Sequence, residues 1–302
     1  MSAVTHKAAS RLRRGPHPAA KHRSDEVEAK PSRAAVWKAS RENIQRFLAD
    51  AKVPSREELA AYWTRVADHA LRHIGRRPLM LVRRMGGKAY FHEGPLPPIT
   101  AGVHQLRIAK AEGGKGIRVW VEDLAGLLGL VEMDVIEVHP WGGTVDDLER
   151  PDMLVFDLDP GEGVEWQFVL DTALRLRDML AQAELDSWPK TTGGKGLHVV
   201  LPAIPEMTWH TARDYGHTIA EHFAASDPKR YTSSSSRAGR SGKVFIDYVR
   251  NGRGNTAIGA YSPRARPGFP VAAPVTWRDV ERGIRSDAFS ITNPPGALRR
   301  KR

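Results

Sequence analysis

The stretch Met153-Leu154-Val155-Phe156-Asp157-Leu158-Asp159-Pro160-Gly161 predicts a buried β-strand that ends in two acidic residues. Because successive side chains of a strand point to opposite faces, Asp157 and Asp159 share one face, while Phe156 and Leu158 point into the core. Two carboxylates on one face repel each other unless a cation lies between them, and carboxylate oxygens suit Mg²⁺ or Mn²⁺. The stretch therefore predicts a divalent-cation site. A pair of solvated surface acids is the alternative.

A third acid, Asp247, lies inside the apolar stretch Val244-Phe245-Ile246-Asp247-Tyr248-Val249, which also predicts a strand. A buried carboxylate needs a cationic partner or a metal ion. Two aspartates on one strand and one on a neighbouring strand would hold two divalent ions, as in sites that activate a hydroxyl and stabilise the leaving oxygen during phosphoryl transfer. A simple salt bridge from Asp247 is the alternative.

A glycine-rich turn precedes the next apolar strand, in the segment Gly193-Gly194-Lys195-Gly196-Leu197-His198. Glycines let backbone N–H groups form an anion-binding nest, to which Lys195 adds a positive charge. The segment is not a Walker A loop, because the positions of its first glycine and its Ser/Thr hold Pro189 and Gly196. His198 faces away from its apolar neighbours and can donate to a phosphate, unless it is a purely structural histidine.

Composition excludes several classes of protein. The chain has 302 residues, of which 41% are hydrophobic, so most of it is expected to fold around a core. The absence of cysteine excludes a disulfide scaffold, a thiolate zinc site and a cysteine nucleophile. No apolar run is long enough for a membrane span, and the basic N-terminus lacks the apolar segment of a secretory signal. A cytoplasmic protein without membrane contact is expected.

The net charge of +11 is concentrated at the two ends of the chain. Residues 1–33 contain eight Lys/Arg and three Asp/Glu, and residues 298–302 contain four Lys/Arg, which leaves only +2 for the residues between them. Residues 1–33 have no apolar period and predict a disordered basic arm, and residues 298–302 predict a basic tail. Both are suited to binding polyanions, although solubilising tails would have the same composition.

The predicted elements indicate an α+β fold. Ser55-Arg56-Glu57-Glu58 is a capping box that predicts a helix ending near Gly75. Further helices and strands follow without the regular βαβ spacing of a doubly wound sheet. We therefore expect mixed or antiparallel sheets with helices outside them.

Five segments, taken together, carry a more specific signal. They are Ile136-Glu137-Val138-His139-Pro140-Trp141, Phe156-Asp157-Leu158-Asp159-Pro160-Gly161, Thr192-Gly193-Gly194-Lys195-Gly196-Leu197-His198-Val199, Ile246-Asp247-Tyr248-Val249-Arg250-Asn251 and Tyr261-Ser262-Pro263-Arg264-Ala265-Arg266-Pro267-Gly268. In this order they resemble the polymerase domain of bacterial DNA ligase D, a branch of the archaeo-eukaryotic primase superfamily. The resemblance implies a primase-polymerase catalytic domain at residues 34–297, with DNA contacts in residues 34–150 and the metal and nucleotide site in residues 151–297.

The resemblance also implies the residues of the site. Asp157, Asp159 and Asp247 would be catalytic and would bind two divalent ions, Mn²⁺ or Mg²⁺. The nucleotide-binding residues would be His139, Thr192, Gly194, Lys195, Gly196, His198 and Arg264. On the DNA side, Arg46 and Arg56 would grip the 5′-phosphate beyond a gap, and Tyr90 and Phe91 would stack on template bases. Core packing is the alternative for these two rings.

The implied activity is template-dependent nucleotidyl transfer in bacterial DNA repair. The expected partners are gapped or primed DNA with a 5′-phosphate, NTP or dNTP with ribonucleotides favoured, and Ku-like and ligase proteins of end joining in the nucleoid. No adenylation motif or phosphoesterase module is recognisable, so a stand-alone polymerase or an excised domain is expected. Thr192 stands where serine is usual, and His92-Glu93 replaces a common Gln-Lys pair.

Three other functions remain open on the sequence. A primase would start chains without a primer, and a silent module would bind DNA ends without catalysis. An Asp-x-Asp strand also begins the haloacid-dehalogenase-type phosphatases, but Gly161 stands where these have Thr or Val, and they do not need an acid such as Asp247.

Overall fold

The computed structural model describes residues 53–85, 88–92, 100–109, 113–236 and 239–296. The arm predicted at residues 1–33, the tail predicted at residues 298–302 and Arg46 lie outside the described residues, so these predictions stay open. None of the described helices has the length and apolar character needed to cross a membrane.

The described residues form five α-helices, eleven strands and one 3₁₀ turn. In chain order the elements are α1 (Arg56–Ile74), β1 (Leu79–Met85), β2 (Lys88–His92), β3 (His104–Ala109), β4 (Lys115–Trp120), α2 (Leu124–Glu132), β5 (Val135–Pro140), β6 (Met153–Pro160), α3 (Trp166–Gln182), β7 (Trp188–Thr191), β8 (Leu197–Pro202), α4 (Trp209–Ser226), β9 (Tyr231–Thr232), β10 (Val244–Asp247), the 3₁₀ turn (Val249–Asn251), β11 (Ala273–Pro274) and α5 (Trp277–Glu281).

The strands belong to two sheets, and the expected α+β class is confirmed. The first sheet has the order β2-β1-β4-β3, with β5 paired to β1, and all its pairs are antiparallel. The second sheet has the order β11-β7-β8-β6-β10-β9, and only its pair β9–β10 is parallel. Two helices of this sheet connect parallel strands that are not neighbours: α3 joins β6 to β7 across β8, and α4 joins β8 to β9 across β6 and β10.

Each sheet has its own hydrophobic core. The first core packs β1 and β5 against α1 and α2, and later residues such as Tyr261 and Val271 return to it. The predicted capping box is present at the start of α1, where the Ser55 hydroxyl accepts from the Glu58 N–H and the Glu58 carboxylate accepts from the Ser55 N–H. The second core packs α3 and α4 against one face of the second sheet. Phe156 and Leu158 are fully buried there, as predicted.

The strand predicted over residues 244–249 ends at Asp247 instead, because the backbone turns into the 3₁₀ turn Val249–Asn251. The edge of β6 beyond Asp157 therefore loses its backbone partner at Val155. The side chain of Asn251 replaces that partner: its Oδ1 accepts from the Val155 N–H at 2.7 Å and its Nδ2 donates to the Val155 carbonyl at 3.0 Å. A side-chain amide thus continues the ladder of the sheet and anchors the turn that carries Arg250.

We expect Asn251→Ala to lower the free energy of unfolding by about 2–4 kcal/mol, because it leaves two buried backbone groups of Val155 unpaired. Urea denaturation of both proteins measures this difference. Asn255→Ala is the matched control, since the Asn255 side chain donates one hydrogen bond, to the Val249 carbonyl, which also accepts from the Gly252 N–H. Equal losses in the two variants would contradict the role assigned to Asn251.

Candidate active site

The three predicted aspartates lie at one end of the second sheet. Asp157 on β6 is the direct register partner of Asp247 on β10, and Asp159 follows two residues later on β6. Directly opposed residues of an antiparallel pair have Cβ atoms about 4.5–5.5 Å apart. The fold therefore brings together three carboxylates that are separated by up to 90 residues in the sequence.

Two arginines contact these carboxylates. Arg250 places its Nε 3.2 Å from Asp247 Oδ2 and its Nη2 3.7 Å from Asp157 Oδ2. Arg240 places its Nη1 3.2 Å from Asp159 Oδ2, while its guanidinium stacks on the Phe245 ring. The guanidinium charges offset part of the repulsion among the three carboxylates.

The pKa values of the three carboxyl groups reflect burial first and neighbouring charges second. Partial burial and the charges of Asp157 and Asp247 raise the pKa of Asp159 to about 6. Burial also raises the pKa of Asp247, against the effect of Arg250. Burial opposes the charge of Asp157 as well, but His198 and Arg250 outweigh it and hold its pKa below the ordinary value. At this end of the sheet, three carboxylates are contacted by two arginines, so their negative charge is neutralised only in part.

The donor set fits a hard divalent cation, but the site is not assembled for one in advance. Among the residues that the structure describes, no three His, Asp or Glu side chains are close enough together to hold a metal ion. All three donors are carboxylates, which Mg²⁺ and Mn²⁺ prefer. A cation bound here would take over the carboxylate oxygens that Arg240 and Arg250 now contact.

The glycine-rich segment forms the turn between β7 and β8, beside the acidic residues. Gly193 has a φ of +63°, in the left-handed region that favours glycine. The Thr192 hydroxyl donates to the Gly196 carbonyl at 2.8 Å and accepts from the Gly194 N–H at 3.2 Å, which closes the turn. A Cβ on Gly196 would lie 3.0 Å from Asp157 Oδ1, so the turn and the acid are in contact.

Positive charge gathers on this turn. Arg264 donates from Nη1 to the Thr192 carbonyl at 3.0 Å. Arg266 lies against Gly194, and burial together with the charge of Arg264 lowers the pKa of Arg266. Lys195 is exposed at the tip of the turn. The partly buried Arg264 and the more exposed Arg266 place two guanidinium groups beside a glycine turn, which together form a binding place for an anion.

His198 and Lys190 continue the row of polar residues across the second sheet. His198 on β8 pairs in register with Asp157 on one side and Lys190 on the other, and its Nε2 lies 3.5 Å from Asp157 Oδ1. Burial and the charge of Lys190 lower the pKa of His198 to about 4. Burial lowers the pKa of Lys190 to about 7, and its Nζ donates to the Ile258 carbonyl. The predicted orientation of His198, away from Leu197 and Val199, is confirmed, since both of these pack in the core.

His139 reaches this region from the first sheet. It lies on β5, where its Nε2 is 2.8 Å from Glu137 Oε2. Glu137 in turn lies 3.3 Å from Arg264 Nε. One carboxylate therefore connects His139 to the arginine that holds the glycine-rich turn.

The predicted DNA contacts lie outside this cluster. Arg56, at the start of α1, makes a bidentate ion pair with Asp134 at 2.9 and 3.0 Å. Tyr90 and Phe91 are neighbours on β2 and so point to opposite faces of the first sheet. Phe91 packs against the first core. Val82 on β1 is the register partner of both Phe91 on β2 and Glu137 on β5, so Phe91 and Glu137 lie on the same face of the first sheet. The two rings therefore do not form one surface, and their stacking role stays a prediction.

Comparison with known proteins agrees with this architecture. The family model described as the LigD primase-polymerase domain matches residues 55–302. The chain belongs to this family. Within the LigD primase-polymerase family, the matched region includes both sheets and all the residues of the acidic cluster and the glycine-rich turn.

Two curated relatives illustrate the family. The chain is 35% identical over 275 residues to the multifunctional non-homologous end joining protein LigD of Pseudomonas aeruginosa, with 90% of this chain and 33% of the relative covered. It is 25% identical over 253 residues to the bifunctional non-homologous end joining protein LigD of Bacillus subtilis, with 82% of this chain and 40% of the relative covered. The chain thus spans between a third and two fifths of these LigD proteins.

A solved structure has the same fold. The polymerase domain of Mycobacterium tuberculosis ligase D, in complex with DNA, superposes with a TM-score of 0.72 at 28% identity. The match covers 78% of this chain and 86% of that one. The primase-polymerase core expected from the resemblance is therefore confirmed for this LigD family member.

Three polar residues of the site were not assigned from the sequence. Glu137 and Lys190 lie in otherwise apolar strands, so the argument applied to Asp247 could have singled them out. Arg240 had no such signal, since it lies in a polar loop and reaches Asp159 only through the tertiary fold.

We expect Gly196→Ala to lower the free energy of unfolding by about 1–3 kcal/mol, because the new methyl group would lie 2.8 Å from the Leu158 carbonyl and 3.0 Å from Asp157 Oδ1. Gly239→Ala is the control, since its Cβ would meet no atom within 4 Å. Urea denaturation measures both. A Gly196→Ala protein as stable as the control would show that the turn does not press against Asp157.

Proposed function

We propose that this chain is a template-dependent nucleotidyltransferase that extends primed or gapped DNA in repair. One observation carries the proposal. An acidic cluster (Asp157, Asp159 and Asp247) lies in direct contact with a cationic turn (Thr192–Gly196, backed by Arg264 and Arg266). Adjacent surfaces of opposite sign suit a substrate that brings both metal ions and a triphosphate.

The cationic turn is proposed to bind the triphosphate of the incoming nucleotide. The backbone at Gly194 and Gly196, which no side chain covers, and the charge of Lys195 suit phosphate oxygens, and Arg264 adds planar, charged donors. Binding an anion here would offset the burial and the charge of Arg264, which together lower the pKa of Arg266. His198, held neutral by burial, would be a hydrogen-bonding partner rather than a cation.

In the proposed reaction the primer 3′-hydroxyl attacks the α-phosphorus and pyrophosphate leaves. Asp157, Asp159 and Asp247 would hold two divalent ions, Mn²⁺ or Mg²⁺, which supply an activated hydroxyl and neutralise the charge that develops on the phosphate. The protein's own groups mainly position the nucleotide and neutralise its charge, as in other phosphoryl transfers. Arg240 and Arg250 stabilise the carboxylates before these ions bind.

The proposed substrate is DNA with a 5′-phosphate beyond the gap. Arg56 supports this proposal, because its planar guanidinium group at the start of α1 can bind two oxygens of an anion at once. In the structure the Asp134 carboxylate is bound in this way. The names of the relatives point to non-homologous end joining, and Ku-like and ligase proteins are the proposed partners. We also propose that ribonucleotides are the favoured substrates.

Primer extension with Mn²⁺ tests the acidic cluster. We expect Asp157→Asn and Asp247→Asn each to lower the extension rate at least about hundredfold, because each removes a charge from the reacting centre. Asp171→Asn, on the exposed face of α3, is the control and is expected to extend like the unaltered protein. Extension at the unaltered rate by either cluster variant would refute the assignment.

The same assay on single-stranded DNA without a primer separates the proposed polymerase from a primase. We expect no dinucleotide product. Efficient de novo synthesis would replace the gap-filling proposal with a priming one, and nucleotide binding without any extension would indicate a catalytically silent DNA-binding module.

Arg56→Ala is expected to weaken binding to gapped DNA about three- to thirtyfold when the downstream end carries a 5′-phosphate, and much less when it ends in a hydroxyl, since a charged hydrogen bond is lost. The variant Asp134→Asn tests the same contact in the opposite direction. It frees Arg56 and keeps a residue that tolerates the φ of +58° at this position. It should strengthen binding to the phosphorylated DNA. Equal losses with and without the phosphate in Arg56→Ala would contradict the proposed grip.

A further inference from the structure

Glu137 is a buried carboxylate that joins the two sheets. Its side chain is 2% exposed. Its Oε2 lies 2.8 Å from His139 Nε2 and 3.3 Å from Arg264 Nε, and its Oε1 accepts from the Ala265 N–H at 2.8 Å. A carboxylate buried to this degree is costly unless it is paired and hydrogen-bonded, so these three partners define its role.

The charge of Glu137 is maintained by these partners. Burial by itself would raise its pKa, but the charge of Arg264 and the hydrogen bonds from His139 and Ala265 outweigh this effect and hold the pKa at about 2. At neutral pH Glu137 is therefore ionised, so it can accept hydrogen bonds but cannot donate one. The groups that hydrogen-bond to it, His139 and the Ala265 N–H, must therefore act as donors.

This requirement selects one tautomer of His139. Burial lowers the pKa of His139 below its ordinary value, so the ring is neutral at pH 7. A neutral imidazole carries one N–H, and the ring nitrogen beside an ionised carboxylate must be the one that carries it. The proton therefore sits on Nε2, and Nδ1 is an acceptor that can receive a hydrogen bond from a hydroxyl group.

The same carboxylate orients Arg264. Nε lies 3.3 Å from Glu137 Oε2, an ion-pair contact without the geometry of a hydrogen bond, and Nη1 donates to the Thr192 carbonyl. With Nε facing a carboxylate and Nη1 hydrogen-bonded, Nη2 is left, as far as the described residues extend, for an anionic ligand. The glycine-rich turn is thereby tied to β5 through one guanidinium group.

We propose that Glu137 is a positioning residue for nucleotide binding: it holds His139 as a hydroxyl acceptor and clamps Arg264 to the glycine-rich turn, so that groups from both sheets meet one nucleotide. This inference rests on the proposed nucleotidyltransferase function and extends it to the sugar and phosphate ends of the same substrate. Glu137 itself touches neither end.

The first test observes the His139 ring directly in the unaltered protein. Long-range ¹H–¹⁵N correlation spectra of ¹⁵N-histidine-labelled protein report which ring nitrogen carries the proton, with the signals assigned by their loss in His139→Gln. We expect the Nε2–H form. A ring protonated on Nδ1 alone would overturn the proposal without any variant of Glu137 having to fold.

The second test compares Glu137→Gln with Asp152→Asn. Asp152 pairs bidentately with the buried Arg77 and so provides a matched ion pair outside the site. In primer extension, we expect Glu137→Gln to raise the KM for ATP about ten- to hundredfold, with a smaller change in kcat, and to shift His139 toward the Nδ1–H form. Asp152→Asn should change stability only. Direct titration with ATP and Mn²⁺ measures binding in the same proteins.

The outcomes separate this proposal from the function on which it rests. If Glu137→Gln leaves KM, ATP affinity and the ring tautomer as they are in Asp152→Asn, Glu137 is merely structural and the proposal is wrong. If the unaltered protein binds ATP in a Glu137-dependent way but extends no primer, the proposed polymerase function fails while the assignment of Glu137 as the nucleotide-positioning residue stands.

Discussion

The site depends on the mutual repulsion of three carboxylates that an antiparallel sheet places at one end. Asp157 and Asp247 are opposed in register, so their distance is set by backbone hydrogen bonds that the side chains cannot change. Arg240 and Arg250 offset part of this repulsion, while burial together with the neighbouring carboxylates keeps the pKa values of Asp159 and Asp247 raised. The fold thus keeps negative charge concentrated where a cationic ligand would be stabilised.

The neighbouring glycine-rich turn concentrates positive charge, as the end of the sheet concentrates negative charge. Arg264 and Arg266 repel each other beside Gly194, and Arg264 is held there by the Thr192 carbonyl and by the charge of Glu137. Gly196 brings the two charge clusters into contact because it has no side chain to hold them apart. A ligand with metal ions at one end and phosphates at the other would reduce the repulsion among the carboxylates and the repulsion between the arginines. This is the physical basis for proposing a nucleotide as the ligand of this site.

Much of the site follows from strand periodicity, which is a local property. Asp157 and Asp159 had to share a face opposite Phe156 and Leu158, and His198 had to face away from Leu197, because side chains alternate along any strand. The same rule places Tyr90 and Phe91 on opposite faces of the first sheet, and the stacking role that the resemblance implies for them stays a prediction.

The sequence by itself determined the α+β class, the faces of the strands, the glycine turn and membership of a primase-polymerase-like group. These depend on residues that are near each other in the chain. Only the tertiary structure decided that Arg240 contacts Asp159, that Asn251 completes the ladder at Val155, and that Glu137 links His139 to Arg264. The contacts Arg240–Asp159, Asn251–Val155 and Arg264–Glu137 join residues 81, 96 and 127 positions apart. Such contacts depend on which distant segments the tertiary fold brings side by side, and no local pattern encodes that placement.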